Sequence, residues 1–549
     1  MSSYHPSKDI SLPEVTISAF TETGQAESSI IVPLQRVYTG RKPVIPFRLA
    51  DTPCATLGVQ GLLDRLNTTL GTSHTLNTPS LSCLLEDCIA NNYDFGMAYG
   101  RLRRIWYTHD WSTVRDVLRK WEEKDREMRR EALAGSWIVN LRLPPRRVWD
   151  LCSNRVVPWW SVDYWPQAIS HAWVGEKDRV NVQTPINGYE WPVPMPNDIS
   201  LDLVRIEMLN LGLEHVWLDV LCLRQVGGPG EDMRREEWKL DVPTIGAVYH
   251  QNRVVWYLSG LGRPLSLNEG DLESDRCWFR RAWTLQEVGR ERVIAGDTPD
   301  GPMHAIHDGW KYETELLARF HEQLWSVGHV LETRFLMLEN MRNRLSTNPV
   351  DKVAGLAFCL FSKTIPAYYE NESVEDAWSA LVNSMNAWGR GELFSLYPEP
   401  GNAGTKWRPS WDQLMLKPLP AAESPSNISI DRVRTDEDRC DAYCIEKGLV
   451  RGLAVVDSEG NARRGQLIVQ GADVTEHAFS ITATHEYPIP ENTYTLIRVT
   501  WSFQYWVIGK GLSGRRFEKV STLEIPDVED RNQLRDLFIT KECRDIILV

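Results

Sequence analysis

Between about residues 150 and 295, apolar runs too short for helices alternate with amphipathic stretches, and this alternation constrains the fold more than any other feature of the chain. The run Val216-Trp217-Leu218-Asp219-Val220-Leu221 is apolar on both faces, as suits a strand buried inside a parallel sheet. Gln167-Ala168-Ile169-Ser170 and Val254-Val255-Trp256-Tyr257-Leu258 read the same way. A helix is expected over Ser200–Leu211, stopped by Gly212 in the C′ position. A second follows the loop VGGPGED (Val226–Asp232) and runs through Tyr249, with Trp238, Val242, Ile245 and Tyr249 on one face. Pro243 should kink or divide that helix. A third is expected across Trp278–Val288. Strand and helix in this order predict a right-handed, doubly wound α/β unit with a parallel sheet.

The flanks have different textures. At roughly 100–200 residues per domain, 549 residues predict several domains or subdomains. Residues 1–50 are rich in Ser, Thr and Pro and read as a partly ordered arm. Residues 51–149 form a helical extension, clearest where Val114, Val117, Leu118 and Trp121 recur at helical spacing behind Ser112 as N-cap. The α/β unit takes 150–300, and a helical region follows over 301–397. Residues 398–549 are β-rich, with strands expected at 493–509 and 515–525 and an exposed loop over 418–438.

Charge and composition exclude several classes. A net charge of −13 argues against a polyanion-binding surface spread over the whole protein, though not against a local basic patch, and no nucleic-acid partner is expected. The longest apolar run, around Val353 to Phe361, is about half of the ~20 residues a membrane span needs. The N-terminus shows no basic region followed by an apolar stretch, so no secretory signal is expected. Ten cysteines without a framework suit reduced thiols and a cytoplasmic protein. The Cys440/Cys444 pair has no second pair to complete a zinc site.

Residues Gly509 to Gly514 spell GxGxxG, but a strand-like segment follows where a dinucleotide fingerprint needs a helix. The reading is a β-hairpin whose turn holds Lys510, Gly511 and Ser513. His304 and His307, beside Asp308, lie in a Gly/Pro-rich loop without further ligands, so no metal site is expected. In doubly wound sheets, ligands sit at the carboxyl ends of strands near a switch in strand order. Ser170 and His171, then Asp219, then the glycines 227, 228 and 230 would project there.

Four stretches carry a resemblance: SHAWVG (170–175), VWLDVLCLRQ (216–225), the helix ending in Val248-Tyr249, and WFRRAWTLQE (278–287). In order and spacing they resemble the fungal heterokaryon-incompatibility (HET) domain, with its S-Y-x-W-G, W-I-D-x-L-C-I-N-Q and R-x-W-x-x-Q-E elements. His171 replaces Tyr, Val174 is an extra residue, and Leu223-Arg224 replace Ile-Asn. Downstream, Asp351 to Leu356 resembles the family's D-K-V-Y-G-L segment, and Pro409-Ser410-Trp411 its P-S-W element.

HET domains are similar to TIR domains, some of which hydrolyse NAD while others assemble in cell-death signalling. The resemblance therefore implies a TIR-like, flavodoxin-like sheet. Glu287 matches the catalytic Glu of the TIR W-C-x-x-E motif, counted from Trp283, with Thr284 in place of Cys. NAD is then the expected substrate rather than a cofactor, with Ser170, His171 and Asp219 near the ribose and Trp173 or Trp217 stacking on it. The alternative is a non-catalytic module that self-associates or docks a signalling protein.

Overall fold

The computed structural model describes residues 38–549 apart from 39, 79, 109, 299–300, 306–311, 331, 361, 421–425, 433–436, 456–461 and 472–473. Most of the expected N-terminal arm, together with His307 and Asp308, lies outside the described residues. The chain divides into two compact units. The first takes in residues to His329 with Arg344–Cys359 and Thr364–Asn371, and the second takes in Val330–Asn343, Leu360–Lys363 and Glu372–Val549. Among the described residues no helix is long and apolar enough to cross a membrane.

After a single helical turn over Phe47–Ala50, the first unit has four longer helices, α1 (Cys54–Leu70), α2 (Leu81–Ala90), α3 (Phe95–Leu102) and α4 (Val114–Ala132). They share a core of Leu62, Leu66, Leu85, Phe95, Tyr99 and Trp106. Leu118 and Trp121 of α4 pack on that core, while Arg126 pairs with Glu122 and Arg119 with Glu123 on the solvated face. Ser112 does not cap α4: its hydroxyl binds Asp110, and the helix starts after Thr113.

The six-stranded sheet holds β1 (Arg147–Asp150), β2 (Arg155–Pro158), β3 (Gln167–His171), β4 (His215–Leu218), β5 (Val254–Tyr257) and β6 (Arg292–Ile294). Its order is β6-β5-β3-β4-β1-β2. The β6–β5, β5–β3 and β3–β4 pairs are parallel, and β1 joins β4 and β2 antiparallel. Helix α5 (Leu201–Asn210) connects β3 to β4 on one side, and α6 (Asp232–Gln251) connects β4 back past β3 to β5. The two crossovers run in opposite directions along the sheet. Gly212 ends the α5 region with φ 84°, as its C′ reading requires.

The structure departs from the expected pattern at three points, two of them for reasons written far away in the sequence. The strand at 216–221 stops at Leu218, where a helical turn over Asp219–Cys222 begins. Pro243 neither ends nor divides α6. It lacks the N–H that would bond the Lys239 carbonyl, but the Tyr368 N–H takes that carbonyl at 3.0 Å instead. The helix expected over Trp278–Val288 is two 3₁₀ turns, Trp278–Arg280 and Trp283–Leu285. Between them the chain is pulled open by backbone bonds from Ala282 N to Leu345 O and from Leu345 N to Arg280 O.

In the second unit, eight strands follow α7 (Ala387–Leu396): β7 (Ile430–Arg432), β8 (Asp438–Arg451), β9 (Arg463–Gln470), β10 (Glu476–Ala483), β11 (Asn492–Arg498), β12 (Tyr505–Leu512), β13 (Arg516–Glu524) and β14 (Lys541–Leu548). Antiparallel pairings run β8-β9-β10-β13-β12-β11 and return to β8, closing a ring around Leu467, Phe479, Ile481, Leu496, Trp506 and Ile508. Strand β7 falls inside the stretch read as loop over 418–438, and 493–509 is two strands rather than one. The GxGxxG segment is a hairpin, but its turn is Ser513–Arg515. Gly511 pairs with Phe517 inside the ladder, and Gly514 (φ 75°) and Arg515 (φ 59°) bend the chain. The cysteines at 440 and 444 are free thiols along β8.

Candidate active site

The carboxyl ends of β3, β4 and β5 converge where the strand order reverses: β3 comes first in the chain, β4 lies on one side of it and β5 on the other. Ala168 and Ile169 lock β3 into the buried sheet, which delivers Ser170 and His171 to its end. Asp219 follows directly on β4.

The 3₁₀ segment after β5 brings Glu287 to the same place. Ser170 Oγ donates to Glu287 Oε2 at 2.5 Å and accepts from the Trp278 indole N–H at 2.7 Å. Glu287 as a whole is 8% exposed. Burial pushes it up to about 7, the Ser170 hydrogen bond opposes the rise, and Asp219 adds to it, while His171 and Arg344 hold it down.

His171 lies between two acceptors, Asp219 Oδ1 at 2.9 Å from Nε2 and Ala172 O at 3.3 Å from Nδ1. Both ring nitrogens are thus placed to donate, which favours the imidazolium. Burial alone would lower its pKa, but Asp219 and then Glu287 outweigh that and the net shift is upward. Trp173 stacks on His171 with ring centroids 5.8 Å apart, and Arg179 lies over Trp173.

A cavity of about 330 Å³ opens beside this cluster, lined by Trp173, Ser259, Arg263, Arg276, Trp278 and Phe320 among others. Ser170, His171, Asp219 and Glu287 are not among its lining residues; Trp278 is, and the N–H of its buried indole holds Ser170. Of the two proposed stacking aromatics, Trp173 reaches the cavity. Trp217 is 2% exposed, edge-on to Tyr249 inside the sheet, and cannot stack on a ligand.

The glycine loop is not among the residues lining that cavity. Gly228 (φ 95°) lets the backbone approach the Glu190 carbonyl, where a Cβ would sit 2.4 Å away. Arg224 ties the region to Glu190 and Glu237, and Arg234 is paired with Glu370. Among the described residues there is no metal-binding cluster. His304 is paired with Asp297 at 2.6 Å.

Residues outside the local motif hold the Glu287 segment in place. Buried Arg344 donates to Arg281 O at 2.7 Å and Thr284 Oγ1 at 2.5 Å. Asp351 accepts from Tyr368 Oη at 2.8 Å and from the Trp283 indole; burial pushes it up to about 6. No local pattern marks Arg344, whereas Asp351 was visible only through the resemblance.

Compared with known proteins, the chain matches no family model, and no curated protein or solved structure matches it either.

Proposed function

We propose that residues 150–300 act as a HET-type, TIR-like domain in fungal cell-death signalling, cleaving the nicotinamide–ribose bond of NAD in the cytoplasm. The observation that carries this reading is the buried Glu287 carboxyl on Ser170, beside the His171–Asp219 pair, at the reversal of strand order. The strand order supports a flavodoxin-like topology, in which ligands bind at that reversal.

The chemistry requires few groups. As the C1′–N bond breaks, its electron pair goes to the pyridinium nitrogen and nicotinamide leaves neutral, so no acid is needed. The cationic ribosyl centre is stabilised by the ionised Glu287, water adds to C1′, and the released proton passes to a carboxylate. Trp173 supplies a stacking face in the cavity. For a ribose to reach Glu287, the Trp278–Ser170 contact must open.

That barrier is also what favours the second reading, a non-catalytic module that self-associates or docks a signalling partner. There the Trp278–Ser170–Glu287 chain is a structural clasp. Incubating monomeric and oligomeric preparations with NAD and quantifying free nicotinamide separates the two. Release supports catalysis, and none from either preparation supports assembly alone.

A further inference from the structure

Arg498, the last residue of β11 in the second unit, sits in a box of three rings. Its guanidinium carbon lies 4.4 Å from the Tyr443 centroid, 4.8 Å from Trp501 and 4.6 Å from Phe503. Neighbouring arginines find acceptors: Arg432 has Asp438, Arg439 has Glu437, and Arg463 has the carbonyls of Leu453, His485 and Tyr487. Among the described residues the Arg498 guanidinium has no hydrogen-bond or ion-pair partner, and its donors are not sealed from solvent. The Tyr443 hydroxyl is likewise unengaged. A guanidinium with an open donor edge is a fork for two oxygens of one anionic group.

The surrounding rings are held rather than loose. Trp501 is 70% exposed. With the Asn427 amide turned so that its oxygen faces the indole, it accepts from Trp501 Nε1 and from Trp501 N, each at 3.1 Å. Phe503 adopts φ 60°, costly for a bulky residue, and its carbonyl accepts from Trp506 Nε1 at 2.7 Å. An exposed tryptophan fixed by two hydrogen bonds beside an unpaired arginine is a preorganised recognition surface.

We propose that Arg498, Tyr443 and Trp501 form a docking site for an acidic peptide segment of a protein partner, one carboxylate taking the arginine edge and an adjacent aromatic or apolar side chain packing on Trp501. Charge selects a peptide over a nucleic acid. Glu542 stands opposite Tyr443 in the β8–β14 ladder, and the chain as a whole carries −13, so a polyanion is repelled where a single carboxylate is not.

The test is selection of random dodecamer peptides displayed on phage against the full chain, followed by fluorescence polarisation with a labelled enriched peptide. The expected result is enrichment of Glu or Asp next to an aromatic residue. Affinity should fall about tenfold or more in Arg498→Gln, in Trp501→Ala and for the peptide's own Glu→Gln twin. Trp388→Ala, at another exposed tryptophan of the same unit (55%), should leave it unchanged. Because Trp501 projects into solvent, its variant keeps the test valid if Arg498→Gln folds poorly. The proposal is overturned by selection without acidic residues, by equal binding of wild type and both site variants, or by a single-stranded oligonucleotide binding in preference to peptide. Self-association that depends on Arg498 without peptide selection would also overturn it, assigning the surface to a second copy.

Discussion

Glu207 on α5 and Glu287 after β5 are both buried carboxyls, and each receives a 2.5 Å hydrogen bond from a hydroxyl, Tyr257 for one and Ser170 for the other. Burial pushes Glu207 up to about 8 and Glu287 to about 7. Their surroundings separate them. Around Glu207 the influences opposing burial are the Tyr257 hydroxyl and the Gly296 N–H, both uncharged groups. Around Glu287 stand Asp219, His171 and Arg344. The first is a neutral acid that latches helix to sheet; the second can exchange its charge with partners at physiological pH. Burial alone does not mark a reactive carboxyl, whereas burial beside titrating neighbours does.

The largest effect expected from this contrast is on turnover. Glu287→Gln keeps the volume and the Ser170 contact but removes the charge. Nicotinamide release should fall by two to three powers of ten, about 3–4 kcal/mol on the barrier. Glu207→Gln should leave it within about twofold, since the native group is already neutral below its raised pKa. Comparable losses in both variants would erase the distinction.

Stability should show the reverse ranking. Tyr257→Phe strips Glu207 of its hydroxyl inside the core and should cost about 1–3 kcal/mol in denaturant unfolding. Nicotinamide release by the folded Tyr257→Phe protein should be unchanged.

A third difference lies in pH dependence. Glu207 binds its proton more tightly folded than unfolded, so its contribution is complete below about pH 4.5 and is lost as pH rises toward about 8. Measured against Glu207→Gln, wild-type stability should decline across that window by at most about 1.4 kcal/mol per pH unit. For Glu287→Gln the same decline should flatten nearer pH 7. The smallest effect is expected for Ser170→Ala. Losing the hydrogen bond that favours the ionised carboxylate should move the acid limb of the pH–rate profile upward by about one unit or less.

The strands that carry this site were legible because they are short and apolar on both faces: Ala168-Ile169, Val216-Trp217-Leu218 and Val254 to Tyr257. The hairpin β1–β2 was not, since its turn depends on Asn154 at φ 56° and its pairing with β4 is non-local. The Glu287 segment carried helical spacing, yet its backbone is claimed by Leu345 and its side chains by Arg344, residues about sixty positions away. Pro243 signalled a break that Tyr368 repairs. Local pattern located Ser170, His171 and Asp219 at strand ends. It could not distinguish Trp173, which lines the cavity, from Trp217, which the sheet encloses.

The most direct test of the central claim is the pH profile of nicotinamide release from NAD by the full chain, measured beside Glu287→Gln. If the ionised Glu287 carboxylate is the stabilising group, release by wild type should rise about tenfold per pH unit up to about pH 7 and then level off, with the variant lacking that rise and standing two to three powers of ten lower on the plateau, so that the gap narrows toward acid pH. Release that is absent from wild type at every pH, or equal in the two proteins, would contradict it.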